Sequence, residues 1–367
     1  MTKTSVLLQG FYGYANFGDD VLMVVTHRIM RRALPDAEIT IMTDAPDARY
    51  VAHMLPDVRV APMNPRARFS MIIHGGGGVF FDFATYGWWQ RYREHLLLGA
   101  GLRTYLVAES IARWLLHRPR ISAPRRLGLG IGVGSFSDGS LVLRKRLHML
   151  AQFDALWLRD EQSDAQLQRF VSIMHDERIL GSDLAFLTEY WLPQMLPARV
   201  PSPRPRLGIA LRDWPDTSHE MLAQVLANLA QKYDISGFIL DGAHDPLMRR
   251  ALQPYTIHIW QPDTMHIADF MAQLGAMDVL LTSRAHAAIC GACVGVPSVI
   301  VNIEPKMEQV HAMLPQASCL VAQDDARAWP AAIAQMAQVS AAEIASDVAR
   351  NRAASQSALA AIERWFV

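Results

Sequence analysis

The sequence predicts an α/β protein built from two doubly wound, Rossmann-like domains. Short apolar runs alternate with amphipathic ones along most of the chain, the signature of βα units whose parallel strands are covered by helices. That rhythm stops at Pro193 to Pro205, where five prolines forbid continuous helix or inner strand, and then restarts. At 367 residues, with 51% hydrophobic and 19% charged residues, the chain is long enough for two cores of ordinary size. The expected division is 1–192 for an N-terminal domain, 193–205 for the linker, 206–338 for a C-terminal domain, and 339–367 for a terminal helix that packs back toward the first domain.

In the first half the predicted strands are Ser5–Gln9, Glu38–Met42, Arg59–Ala61, Ser70–His74, Arg126–Gly132 and Ala155–Arg159. Helices are expected at Asp19–Leu34, Trp88–His117, Leu141–Phe153 and Glu161–Val171. After the prolines come strands at Arg206–Leu211, Ser236–Asp241, Thr256–Trp260, Val279–Thr282 and Ser298–Asn302, with helices at Ser218–Tyr233, Met265–Gly275 and His286–Val294. From about Ala322 the chain is rich in alanine and reads as terminal helices. No short-period repeat and no low-complexity tract interrupts this pattern.

Thirty-five basic residues balance thirty-five acidic ones, so no global field draws the chain toward nucleic acid, and any anion site must come from local charge. Three cysteines are too few for a disulfide framework and fit a reducing compartment. The first residues lack the apolar core and cleavage site of a signal peptide, so a cytoplasmic protein is expected. The apolar stretch Trp88–His117 is broken by Arg91, Arg93, Glu94, Arg103, Glu109 and Arg113, which argues against a span. With Arg118, Arg120, Arg125 and Arg126 downstream, it leaves room for peripheral contact with the inner face of a membrane, beside the plainer reading of a solvated loop.

Four segments carry candidate chemistry. Gly10 to Asp20 leaves the first strand and enters the first helix; its glycines allow close backbone approach, Asn16 offers donor and acceptor, and Asp19 or Asp20 can cap the helix. Its spacing matches neither the dinucleotide fingerprint nor a phosphate loop. In the second, His74-Gly75-Gly76-Gly77-Gly78, four consecutive glycines suit a close-packed ligand loop. An oxyanion hole of the hydrolase type would need a Gly-x-Ser-x-Gly elbow, which Gly132-Val133-Gly134-Ser135 does not complete.

The third segment places Arg159 at the end of a strand as a helix begins, where its planar fork and the helix amides can bind an anion; the alternative is a structural pair with Asp160 or another acid. Arg212 ends a strand of the second domain in a similar way. In the fourth, Thr282-Ser283-Arg284-Ala285-His286, a strand delivers Ser283, Arg284 and His286 to its carboxyl end. His286 can move a proton near neutral pH and Arg284 can hold an anion beside it. Cys290 and Cys293 lie one helical turn apart and read as small core residues rather than ligands, so no metal is expected. Trp88 and Trp89 are candidates for stacking on a sugar ring.

As a set, Gly13-Tyr14-Ala15-Asn16-Phe17-Gly18-Asp19-Asp20, the His74–Gly78 run, Gly130-Ile131-Gly132, Arg159-Asp160-x-x-Ser163, Ser283-Arg284-Ala285-His286-Ala287 and Gly295-Val296-Pro297 resemble the polysaccharide pyruvyl transferase family. The order and spacing match over roughly residues 5 to 305. The resemblance implies a GT-B-like fold with its active site in the interdomain cleft, phosphoenolpyruvate as donor, and a sugar diol of a polysaccharide, oligosaccharide or lipid-linked precursor as acceptor. The product would be a cyclic pyruvate ketal with release of phosphate, made without a cofactor. It also places Lys306 where it can face the donor phosphate. The family carries Arg-Leu-His and Asp-Pro-Ala where this chain has Arg284-Ala285-His286 and Asp183-Leu184-Ala185.

The expected site therefore has His286, Arg284 and Arg159 as catalytic residues, with Asn16, Asp19, Gly75, Gly76, Gly77, Arg212, Ser283 and Lys306 binding substrate. Two alternatives share the fold: a sugar-nucleotide glycosyltransferase, and a carbohydrate-binding homologue without turnover.

Overall fold

The computed structural model describes residues 3–43, 45, 48–62, 67–80, 121–134, 149–169, 177–213, 219–242 and 245–366. The helix expected at Trp88–His117, most of that at Leu141–Phe153, Trp88, Trp89, Arg118 and Arg120 lie outside the described residues. The chain packs as two compact units. The first holds Met1–Tyr12, Thr26–Leu184 and Gln356–Val367; the second holds Gly13–Val25 and Ala185–Ser355.

The sheet of the first unit consists of β1 (Ser5–Gln9), β2 (Glu38–Met42), β3 (Arg59–Ala61), β4 (Met71–Phe80), β5 (Arg125–Val133), β6 (Ala155–Leu158) and β7 (Arg178–Leu180), in the order β3-β2-β1-β4-β5-β6-β7. Every pairing is parallel. Apolar residues fill the middle of β1, Val6 to Leu8, and all of β6, because both faces of a parallel sheet are covered. Order reverses between β1 and β4, so the carboxyl ends of these strands form the switch point where doubly wound sheets receive ligands.

The four glycines expected in a loop are instead part of β4. Gly75 pairs with Leu129, Gly77 with Ile131 and Gly78 with Gly132, and the register shifts between Gly78 and Phe80. The absence of side chains is what lets the strand continue. A Cβ on Gly75 would lie 2.2 Å from both Thr26 Oγ1 and Tyr12 Oη, and Gly76 and Gly77 have φ of 41° and 90°, where side chains are strained.

The second unit repeats the plan with β8 (Arg206–Ala210), β9 (Asp234–Ile239), β10 (Thr256–Ile259), β11 (Val279–Thr282), β12 (Ser298–Asn302) and β13 (Ser318–Ala322), in the order β10-β9-β8-β11-β12-β13, all parallel. Its core is formed by Leu207, Ile209, Leu281, Val299, Ile333 and Trp329 among others. The switch point lies between β8 and β11. The proline-rich run is irregular, and it is tied to this unit: Arg199 donates from Nε to the Gly275 carbonyl (3.2 Å) and from Nη2 to that of Gly295 (3.0 Å).

In chain order the helices are α1 (Phe17–Ala33), α2 (Arg49–Met54), α3 (Glu161–Gln168), α4 (His219–Leu229), α5 (Pro246–Ala251), α6 (Ile267–Gly275), α7 (Ala285–Cys293), α8 (Pro305–Met313), α9 (Trp329–Met336) and α10 (Ala341–Glu363). Helix α1 carries Asp19 and Asp20 in its first turn and Arg31 and Arg32 in its last, matching the helix dipole. Helix α10 begins on a reciprocal cap: Ser340 N donates to Glu343 Oε2 (2.8 Å) and Glu343 N to Ser340 Oγ (3.2 Å). Strands β7 and β13 and helices α2, α5 and α8 add to the expected elements. Pro305 occupies the first turn of α8, where its missing N–H is no loss.

Candidate active site

In the second unit the chemistry gathers at the carboxyl ends of β8, β9, β11 and β12. Thr282, the last residue of β11, donates from Oγ1 to the Ala210 carbonyl (2.9 Å) and accepts from Arg284 N (2.9 Å). Ser283 Oγ accepts from Arg212 N at 2.8 Å, so its hydroxyl joins β8 to β11 across the switch point. Arg212 is half-buried at the end of β8.

The Arg284 side chain is mostly buried and ion-paired with Asp245, itself 1% exposed. Burial raises the Asp245 carboxyl, against the pull of the Arg284 guanidinium. Asp245 also accepts from Asp213 N (3.2 Å), while Asp213 caps α5 by accepting from Leu247 N (2.7 Å) and Met248 N (2.6 Å). Arg284 is thus a cation braced by a carboxylate, with its backbone at the N-cap of α7.

His286 is the second residue of α7 and Lys306 the second of α8, so both stand at helix N-termini following the neighbouring strands β11 and β12. The positive ends of two helices add to these side chains in favouring an anion.

The first turns of α1 belong to the same unit and lie against this cluster. Asn16 bridges to Asp241 just beyond β9, its Nδ2 donating to Asp241 Oδ2 at 3.3 Å, and its Oδ1 accepts from Gly18 N at 3.1 Å. Phe17 N donates to the Leu240 carbonyl (2.9 Å), and the Phe17 ring packs on Trp260 and Phe270. Asp20 is fully buried and accepts from Trp260 Nε1 at 2.7 Å. Held in this way, Gly18 presses on His286: a Cβ at Gly18 would lie 2.2 Å from Nδ1 of the imidazole. Asp19 keeps part of its surface open. Burial raises its carboxyl above the usual range and Asp241 adds to that, while His286, Lys306 and Arg284 pull it down.

In the first unit, the ends of β4, β5 and β6 hold a second cluster around Arg159, which is 2% exposed. Its Nε donates to Asp160 Oδ2 (3.0 Å), and Nη1 lies 3.8 Å from Asp183 Oδ2. Gly132 makes room for the guanidinium, since a Cβ there would be 3.0 Å from Arg159 Cζ and 3.3 Å from the Gly77 carbonyl. Asp160 caps α3 by accepting from Ser163 N (2.7 Å), and Ser163 Oγ accepts from Val133 N (2.8 Å). The structural pairing of Arg159 with acids is therefore realised. Nearby, Tyr12 Oη donates to the Gly75 carbonyl at 3.1 Å, seating the glycine strand.

Of the expected residues, Asn16, Asp19, Arg212, Ser283, Arg284, His286 and Lys306 come together in the second unit, while Gly75, Gly76, Gly77 and Arg159 belong to the first. Sequence reasoning overlooked Asp241, Asp245 and Trp260. Their signal was present: each follows the carboxyl end of a strand, β9 or β10.

Two parallel doubly wound sheets with this site at the strand ends define a two-domain α/β protein of the GT-B-like class. The chain is similar in structure to a putative UDP-N-acetylglucosamine 2-epimerase from Listeria monocytogenes (TM-score 0.57, 11% identity, 100% of this chain and 97% of that one). It is also similar to the UDP-GlcNAc 2-epimerases of Neisseria meningitidis (0.54, 9%, 99% and 100%) and Methanocaldococcus jannaschii (0.54, 11%, 92% and 93%). At such identities the likeness speaks for the fold alone. The sequence itself matches the polysaccharide pyruvyl transferase model over residues 16–305, and the chain belongs to that family. No curated protein matches it in sequence.

Proposed function

We propose that the protein transfers the pyruvate unit of phosphoenolpyruvate to two hydroxyls of a sugar in a glycan or its lipid-linked precursor, closing a cyclic ketal and releasing phosphate. The observation that carries this is the cationic corner of the second unit, where His286, Lys306 and Arg284 stand with the N-termini of α7 and α8. Phosphoenolpyruvate presents a carboxylate and a phosphate, and such a corner offers charge and amide donors to both. In this reading Lys306 and the helix amides hold phosphate, Arg212 and Arg284 favour the carboxylate, and His286 takes the proton of the attacking hydroxyl. Asn16 and Ser283 hold the surrounding backbone. Arg159, between Asp160 and Asp183, sets the charge around the Gly75, Gly76 and Gly77 strand rather than presenting an open fork to an anion.

The donor chemistry calls for no metal or cofactor. We place the reaction in the cytoplasm, where phosphoenolpyruvate is made, with a lipid-linked acceptor bringing the enzyme to the inner membrane face. Among the described residues no helix is long and apolar enough to cross a membrane. The test is incubation of the purified protein with phosphoenolpyruvate and a panel of galactosyl, glucosyl and mannosyl acceptors, following phosphate release and a ketal product. Turnover of a sugar nucleotide, with none of phosphoenolpyruvate, overturns the proposal.

A further inference from the structure

We infer that Asp19 is a catalytic residue, the acid that protonates the methylene carbon of the donor, working as a pair with His286; this role rests on the reaction proposed above.

Asp19 and Asp20 are neighbours with opposite fates. Asp20 is fully buried and satisfied by Trp260, so it anchors the helix. Asp19 is half-buried, one residue beyond the glycine at which a Cβ would lie 2.2 Å from Nδ1 of His286. The charged groups that face it come from three elements: Arg284 and His286 at the start of α7, Lys306 at the start of α8, and Asp241 beyond β9. A carboxylate beside Arg284 and Lys306 and at a helix N-terminus would ordinarily ionise readily. Here burial and Asp241 outweigh them and raise the carboxyl above its usual range. An arriving donor with two anionic groups adds negative charge and pushes the carboxyl in the same direction. A neutral carboxylic acid beside an imidazole is the complementary pair that addition across a double bond needs, because one group must give a proton while the other receives one.

The steps balance. The Asp19 carboxyl gives its proton to the methylene carbon, the sugar hydroxyl oxygen bonds to the central carbon, and the hydroxyl proton passes to His286. The bond from that carbon to the phosphate oxygen then breaks, phosphate leaving with the electron pair and taking the proton held on His286. The second hydroxyl closes the ring and its proton returns to Asp19. Both residues end as they began.

Carboxyl carbon NMR of aspartate-labelled protein, with the Asp19 resonance assigned by its loss in Asp19→Asn, tests the pair in the resting enzyme. Asp19 should titrate above the usual carboxylate range; titration in the ordinary range overturns the inference. With phosphoenolpyruvate and an accepting glycan, Asp19→Asn should lose about 10²-fold or more in kcat, while calorimetry finds donor binding unchanged or tighter. Asp19→Glu, keeping the acid, should recover part of the rate. Normal turnover in Asp19→Asn, or lost donor binding in a folded variant, overturns the acid role. If the wild-type protein ignores phosphoenolpyruvate while Asp19 titrates high, the reaction and the acid role fall and the Asp19–His286 pair stands.

Discussion

Gly18 and His286 touch so closely that position 18 has no room for any side chain: a Cβ there would lie 2.2 Å from Nδ1, 2.5 Å from Cγ and 2.7 Å from Cβ of the histidine. Because the conflict reaches the base of the histidine side chain, turning the ring does not relieve it, and α1 or α7 must shift. Gly18→Ala should therefore displace the imidazole. We expect turnover to fall at least about tenfold, a loss of ~1.4 kcal/mol in transition-state stabilisation, with a changed imidazole resonance for His286 and a folded far-ultraviolet dichroism spectrum.

Asp20 and Trp260 make a different kind of contact, one of anchoring. Trp260→Phe keeps the ring against Phe17 but removes the N–H that Asp20 accepts. A buried carboxylate deprived of a donor costs about 1–3 kcal/mol. Urea unfolding should register that loss, and combining the change with Asp20→Asn should cost less than the two single losses added together.

His74 predicts a pH dependence of stability. Burial, aided by Arg126, lowers its pKa from the usual 6.5 to about 3, so the folded protein keeps the ring neutral where the unfolded chain protonates it. Between those values the unfolded state binds one more proton, and stability falls by about 1.4 kcal/mol for each unit that pH drops. Above 6.5 the contribution is fully present. His74→Gln should remove this component: the difference in unfolding free energy between variant and wild type should change across pH 6 to 4.5 and be flat above 7.

Arg159 tests stability and function together. Arg159→Met strips the guanidinium from Asp160 and Asp183, both largely buried, and breaking such a cluster costs about 3–5 kcal/mol. Melting temperature should fall sharply. Arg159→Lys keeps the charge and should recover part of the stability but not the two-sided geometry. If Arg159 acts by setting local charge, donor affinity measured on the folded lysine variant should change less than about tenfold.

Much of the fold was legible because parallel strands buried on both faces announce themselves as short apolar runs; β1, β2, β3, β8, β11 and β12 follow the expected segments closely. Strands β7 and β13 were not: the first has only three residues, and the second ends where the alanine-rich stretch begins. The glycine strand was hidden for the opposite reason: glycine carries no periodicity, and only Tyr12, Thr26 and Arg159, far off in sequence, explain why bare backbone is needed there. At the site, Arg284 and His286 were visible from their places after a strand, and Lys306 from the family resemblance. Asp241 and Asp245 also follow a strand, but their role as counter-charges was not visible, because a pairing across 39 residues, as between Arg284 and Asp245, is not written in local sequence.

Residues 13–25 precede the proline-rich run by some 170 positions, and yet they are packed with the chain on its far side. Chain order and architecture therefore disagree at one helix. A fragment cut at the prolines, or a chimera exchanging halves with a relative at that point, would leave the Trp260 and Phe270 rings without Phe17 and Asp241 without Asn16. A self-sufficient second half would have to carry this thirteen-residue piece along, grafted on as a separate segment, so the natural unit for recombination is discontinuous.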